Sequence, residues 1–158
     1  PKLSVGEAQA ILKAEYGKSL PPGSIDAEAE KLLGRYVKEK TGSDFLFLTG
    51  FPVSKRPVYA MPMEDDPNLT KSFDLLYKGL EITTGGQRIH SYRMLHDKML
   101  AFGLNPEDFG FYLDTFKYGV PPHGGFAIGC ERLTMQLLNL ANVREASLFP
   151  RDLDRVTP

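Results

Sequence analysis

"SFDLLYKGLEITTGGQRIH", residues 72–90, is the stretch that decides the fold. It is an apolar run that carries Asp74, Glu81, Thr83, Thr84 and Arg88, polar side chains that a buried strand has no reason to hold. Asp74 and Glu81 lie an odd number of positions apart, so one continuous strand would send them to opposite faces of a sheet. Lys78-Gly79 sits in the middle of the run, and X-Gly makes a two-residue hairpin turn. Folded there, Leu76 faces Glu81 and Asp74 faces Thr83. All four then share one face, with Asp74 diagonally across from Glu81 at about 5–8 Å. Two carboxylates that close repel each other unless a cation stands between them. Magnesium takes oxygen ligands, commonly one or two carboxylates beside substrate phosphates, so two acids with a neighbouring hydroxyl make half of such a site. The alternative on spacing alone is an exposed sheet face where Asp74 or Glu81 pairs with Lys78 or Arg88.

Gly85 and Gly86 allow a close backbone approach to a ligand, and Arg88 follows them. A guanidinium recognises carboxylate or phosphate with two parallel bonds, and the helix expected to start at Arg88 would aim its N–H groups at the same anion. An arginine there serves equally as a structural ion-pair partner. A second constellation lies in "GGFAIGCERL", residues 124–133. Small residues at 124, 125, 127 and 129 leave a flat floor for a planar ring, and Arg132 at its far end reaches toward a phosphate tail. The glycines lie within a strand rather than in the turn after it, which excludes a Rossmann phosphate loop. His123, in "PPHGG", adjoins this floor as a candidate substrate contact.

The rest of the chain bounds the answer. With 158 residues, 42% hydrophobic and 25% charged, one globular core is expected. Nineteen basic side chains stand against 20 acidic ones, so no global field attracts a polyanion or a membrane surface. No apolar run approaches the roughly 20 residues that span a bilayer, and a cytoplasmic protein is expected. A lone cysteine, Cys130, excludes an internal disulfide and a multi-thiolate zinc site, and reads as inert packing at a strand-to-helix junction.

Ser4 and Glu7 have capping-box spacing ahead of a helix that Gly17 stops, and Ile25–Lys40 reads as a second helix closed by Gly42. "DFLFLTGFP" and "RPVYAMPM" read as short strands. Leu75–Thr83 resumes extended structure, Arg88–Phe102 has helical spacing, and Pro106 opens a helix to about Lys117. Phe126–Gly129 reads as a strand and Glu131–Leu140 as a helix. Short turns between strands, with helices clustered rather than alternating, predict an α+β fold with an antiparallel sheet flanked by helices.

Three segments together, residues 72–90, "YGVPPHGGFAIGCERLTMQLL" and "VREASLFPRDLDRVTP", resemble the class II aminoacyl-tRNA synthetases, specifically aspartyl-tRNA synthetases of the archaeal or non-discriminating type. The Gly-rich strand followed by Glu-Arg resembles the family's third motif, and the ending resembles the aspartate-specific branch. The resemblance implies an antiparallel sheet flanked by helices, the cofactors ATP and Mg2+, and, as partners of a homodimer, aspartate and tRNA for aspartate, joined by tRNA for asparagine in the non-discriminating type. It further implies that Asp74 and Glu81 hold magnesium on ATP with Thr84 beside them. The ideal hairpin puts Thr83 on that face, and a bulge at "TTGG" would reconcile the two. Arg88 resembles the arginine that grips the substrate's side-chain carboxylate, Arg132 the one on the ATP tail, and Gly125, Ala127 and Gly129 the floor under adenine. Ala127 departs from a commoner glycine and Cys130 from a commoner aliphatic residue. By the same resemblance the 158 residues are the carboxy-terminal part of a catalytic domain, without the anticodon-binding OB-fold or the first two motifs. Two alternatives remain open: a paralogue that spends aspartyl-adenylate elsewhere, and a non-catalytic module that keeps the fold.

Overall fold

Lys78 and Gly79 both have positive φ, 49° and 75°, the geometry of a tight hairpin turn whose twist matches its flanking strands. The turn joins β3 (Ser72–Tyr77) to β4 (Leu80–Arg88), as the parity of Asp74 and Glu81 requires. The computed structural model, which describes residues 1–157, builds a five-stranded sheet around this hairpin. Its order is β1 (Lys2–Ser4), β2 (Phe45–Thr49), β3, β4 and β5 (His123–Ile128). Three of the four pairings are antiparallel, as expected. β1 was not foreseen: three residues long and parallel to β2, it is too short to show a period.

The hairpin's register holds its main surprise. Leu76 pairs with Glu81 as expected, but Leu75 pairs with Thr83, so Ile82 is an extra residue on β4. Asp74 therefore faces Thr84 rather than Thr83. The bulge lies just before "TTGG", and the buried Ile82 side chain, 5% exposed, marks its position.

Helix α1 (Val5–Tyr16) carries the expected capping box, with Ser4 and Glu7 bonding each other's backbone and Gly17 closing the helix in the left-handed region. Helix α2 spans Ala27–Thr41, capped by Asp26. Both pack on the sheet face that presents Leu46, Leu48 and Leu76, and Ala8, Leu12, Ala29 and Leu33 fill the space between. α2 meets the hairpin backbone to backbone, because a Cβ on Gly34 would stand 2.6 Å from Gly79 Cα. A second core forms where α3 (Tyr92–Ala101) and α4 (Gly110–Lys117) enclose Ile89, Leu95, Met99, Leu113 and Phe116. The last helix, α5, spans Cys130–Leu138.

Several sequence readings are corrected. "RPVYAMPM" is no strand, since Pro57 and Pro62 lack the N–H groups a ladder needs and only isolated bridges form at Ala60 and Pro62. Arg88 ends β4 instead of opening a helix, and α3 starts at Tyr92, capped by Ser91. The N–H groups of that helix are therefore not delivered beside Arg88. Pro106 opens a 3-10 turn, Pro106–Phe109, before α4. Cys130 is exposed at the first turn of α5 rather than packed inside.

Candidate functional site

The bulge brings Asp74, Glu81 and Thr84 into contact. Thr84 Oγ1 lies 2.9 Å from Asp74 Oδ1 and 2.8 Å from Glu81 Oε1. A hydroxyl has one hydrogen, so it satisfies only one carboxylate at a time. The other oxygen faces it with lone pair against lone pair, an arrangement that a proton or a cation relieves. Three oxygens of this kind, two of them anionic, suit a hard divalent cation such as Mg2+. The expected donor set fits. Among the described residues no third acid, histidine or cysteine completes a cage, so remaining ligands would come from water or substrate.

Two groups outside the expected set hold these acids. Arg56 Nη2 donates to Asp74 Oδ2 at 2.6 Å. The Glu81 backbone is held on both sides: Glu30 Oε2, on α2, accepts from its N–H at 3.1 Å, and Arg132 Nη1, on α5, donates to its carbonyl at 2.8 Å. Arg132 Nη1 also lies 3.7 Å from Glu81 Oε1. Arg132 thus stands beside the acid cluster, at the end of the floor away from Arg88.

Glu30 has no cation within ion-pairing distance among the described residues. Burial pushes its carboxyl above the ordinary value of 4.5, against the bond from the Glu81 N–H, and the nearby Glu81 charge acts in the same upward direction. The fold therefore disfavours the ionised form. That penalty is absent below about pH 4.5, grows as pH rises through the elevated folded value, and is complete above it. Glu30→Gln keeps an acceptor for the Glu81 N–H and removes the penalty. The variant should melt higher than the unsubstituted chain at pH 7–8, with the gap closing as pH falls to about 4. Melting curves across pH check this, and a lower melting temperature at neutral pH would contradict it.

At the other end of the same face, Arg88 lines a cavity of 310 Å³ together with Arg56, Tyr59, Thr84, Gly86 and Gly125. Its guanidinium lies 4.8 Å from the Tyr59 ring centroid and, among the described residues, makes no ion pair with a carboxylate. Gly86 and Gly125 pair across β4 and β5. Side chains there would crowd the site: a Cβ on Gly86 would stand 2.8 Å from the backbone Lys71 O, and one on Gly125 would stand 3.3 Å from the Arg88 side chain at Nη2. Ala127 pairs with Thr84, and Gly129 caps α5 beside Arg132. The small-residue floor thus runs from Arg88 to Arg132 with the acid cluster between them. His123 pairs with Arg88 in register, but its imidazole contacts Pro121 O at 3.0 Å and it lines a separate, open hollow with Lys71, Phe73 and Gln87. The structure does not bring it into the cavity of Arg88.

The model of the class II tRNA synthetases (D, K and N) matches residues 1–153. The chain belongs to this family. Among curated relatives, the aspartate–tRNA(Asp/Asn) ligase of Thermus thermophilus is 57% identical over 100% of this chain and 37% of its own length. The aspartate–tRNA(Asp) ligase of Pyrococcus furiosus is 47% identical, again over 100% of this chain and 36% of its own length. The chain thus spans little more than a third of these synthetases. Among solved structures, the aspartyl-tRNA synthetase of Entamoeba histolytica superimposes with a TM-score of 0.94 at 39% identity, covering 99% of this chain and 32% of that one. The asparaginyl-tRNA synthetase of Pyrococcus horikoshii, in complex with asparaginyl-adenylate, gives 0.88 at 33% identity over 100% of this chain and 36% of that one. A class II synthetase catalytic fold is therefore established for these residues.

Proposed function

We propose that this chain is the carboxy-terminal part of the catalytic domain of an aspartate–tRNA ligase that is cytoplasmic and acts as a homodimer. The observation that carries the reading is the order of groups along one sheet face: Arg88 unpaired in its cavity, then Thr84 with Asp74 and Glu81, then Arg132. Asp74, Glu81 and Thr84 would hold Mg2+, which when bound neutralises phosphate charge. Arg88 binds the side-chain carboxylate of aspartate with two parallel bonds, and the stack on Tyr59 fixes the plane of its fork. Arg132 meets the nucleotide's outer phosphates. The floor of Gly125, Ala127 and Gly129 lets adenine lie flat against the sheet.

In the first step the α-carboxylate of aspartate attacks the α-phosphorus of ATP, and pyrophosphate leaves with the bridging electron pair. In the second, the terminal hydroxyl of the tRNA attacks the acyl carbon, its proton is released, and AMP leaves. No protein side chain forms a covalent intermediate, so these residues act by positioning and charge neutralisation. Transfer to tRNA for aspartate, and for asparagine in a non-discriminating enzyme, would draw on the other two thirds of the length that the matched relatives have. The test is aspartate-dependent ATP–pyrophosphate exchange by an enzyme containing this chain, with asparagine as the control. Exchange with aspartate supports the reading, whereas ATP binding with no exchange for either amino acid returns the chain to a non-catalytic module. Adenylate formation without charging of tRNA would favour the paralogue.

A further inference from the structure

We infer that Arg56 is a positioning residue for Asp74, an inference that rests on the functional reading above in assigning Asp74 to the metal. Arg56 follows the 3-10 turn Val53–Lys55, and its backbone N–H bonds to Val53 O at 3.2 Å. Its guanidinium carbon lies 3.6 Å from the centroid of the Phe51 ring, so the group rests on an aromatic platform. The side chains of Arg56 and Asp74 are 10% and 12% exposed, and Nη2 meets Oδ2 at 2.6 Å.

Two features set this pair apart from one kept for stability. A buried arginine with a free choice takes both carboxylate oxygens in a fork, yet here only Oδ2 is engaged, and Oδ1 is left to the Thr84 hydroxyl. The Arg56 Nε is also buried without a partner. An ion pair this dry roughly breaks even against apolar packing, and an orphaned donor makes it worse. What the arrangement does supply is orientation. With Oδ2 fixed, the Asp74 carboxylate cannot rotate, and Oδ1 is presented on the side of Thr84 and Glu81. The positive charge of Arg56 also offsets one of two nearby carboxylates, so the acid cluster stays assembled without a bound cation.

The experiment compares Arg56→Met and Arg56→Lys with the unsubstituted protein, in an enzyme containing this chain. Mn2+ binding is read by electron paramagnetic resonance with ATP present, alongside the Mg2+ dependence of ATP–pyrophosphate exchange, the KM for aspartate and thermal melting. Arg56→Met should raise the metal concentration for half-saturation by about 10–100-fold, the usual effect of losing a group that orients a metal ligand. The KM for aspartate should rise by a smaller factor than the metal concentration does, because Arg56 lines the same cavity as Arg88 but Arg88 itself is untouched. Lysine offers one bond to Oδ2 but cannot lie flat on Phe51, so Arg56→Lys should recover only part of the loss. Unchanged Mn2+ binding with a lowered melting temperature overturns the inference and leaves Arg56 as a structural pair. Should Arg56→Met not fold, the lysine variant decides: Mn2+ affinity equal to that of the unsubstituted enzyme overturns the inference. The manganese measurement stands even if the exchange reaction proves to use another amino acid, so the two readings fail separately.

Discussion

Arg88→Leu, in an enzyme containing this chain, should lower kcat/KM for aspartate by a factor on the order of 10²–10³ or more. The guanidinium lines a 310 Å³ cavity with Tyr59 beside it and, among the described residues, makes no ion pair with a carboxylate. Removing it costs the substrate's side-chain carboxylate two charge-assisted bonds, a loss on the order of 3–5 kcal/mol. Lysine at this position would not rescue, because a point charge cannot reproduce a planar fork. The KM for ATP should move little, since Arg132 and the acid cluster lie farther along the sheet. Arg132→Leu should give the opposite pattern, weakening ATP while leaving amino-acid selectivity intact. Steady-state kinetics with aspartate and ATP varied separately decide the matter: equal changes in both constants for Arg88→Leu would remove it from the amino-acid site.

The sequence carried the hairpin and the small-residue floor because both depend on local rules. An X-Gly turn in an apolar run and an odd spacing between two acids leave one arrangement that joins the acids, and the strand glycines name their own position. The identity of the partner hydroxyl needed more. Ideal pairing put Thr83 opposite Asp74, and only the extra residue at Ile82 shifts Thr84 into that place. A bulge is chosen by packing on both faces, here by Ile82 going into the interior, and no periodicity within β4 announces it. The family resemblance supplied Thr84 where the spacing could not. Arg56 and Glu30 were not legible at all. Arg56 lies in an irregular loop between prolines, 18 positions from Asp74, and Glu30 lies on α2, 51 positions from the Glu81 N–H it accepts. Contacts that distant in sequence come from the packing of α2 and the loop against the sheet. The helix expected from Arg88 failed for a related reason: its side-chain spacing is compatible with a helix, but pairing with His123 on β5 keeps that residue in the sheet.

Glu81→Gln is the most economical probe of the acid cluster, because it removes one charge, and with it the 3.7 Å pairing to Arg132, while keeping the side chain's shape. The amide has nearly the same shape and still offers an oxygen to the Thr84 hydroxyl, which lies 2.8 Å from Glu81 Oε1. The bond from Arg132 to the Glu81 backbone carbonyl, 2.8 Å, is untouched, so the helix that carries Arg132 keeps its attachment. Folding should hold, because relief of the like charges on Asp74 and Glu30 offsets the loss of a half-exposed pairing with Arg132. What the variant lacks is an anionic ligand for a hard cation. The expected result is a fall in kcat of about 10²–10³-fold at ordinary Mg2+, the range seen when one preorganised electrostatic group is removed from a reacting phosphate or oxyanion. Raising Mg2+ should recover part of it, since the remaining ligands Asp74 and Thr84 still bind, only more weakly. The KM for aspartate should be nearly unchanged, because Arg88 stands at the far end of the floor. Exchange kinetics at several Mg2+ concentrations, with melting curves on the same samples, separate the outcomes. Activity within threefold of the unsubstituted enzyme, or a loss that simply follows a lowered melting temperature, would show that Glu81 holds the hairpin together and binds no metal.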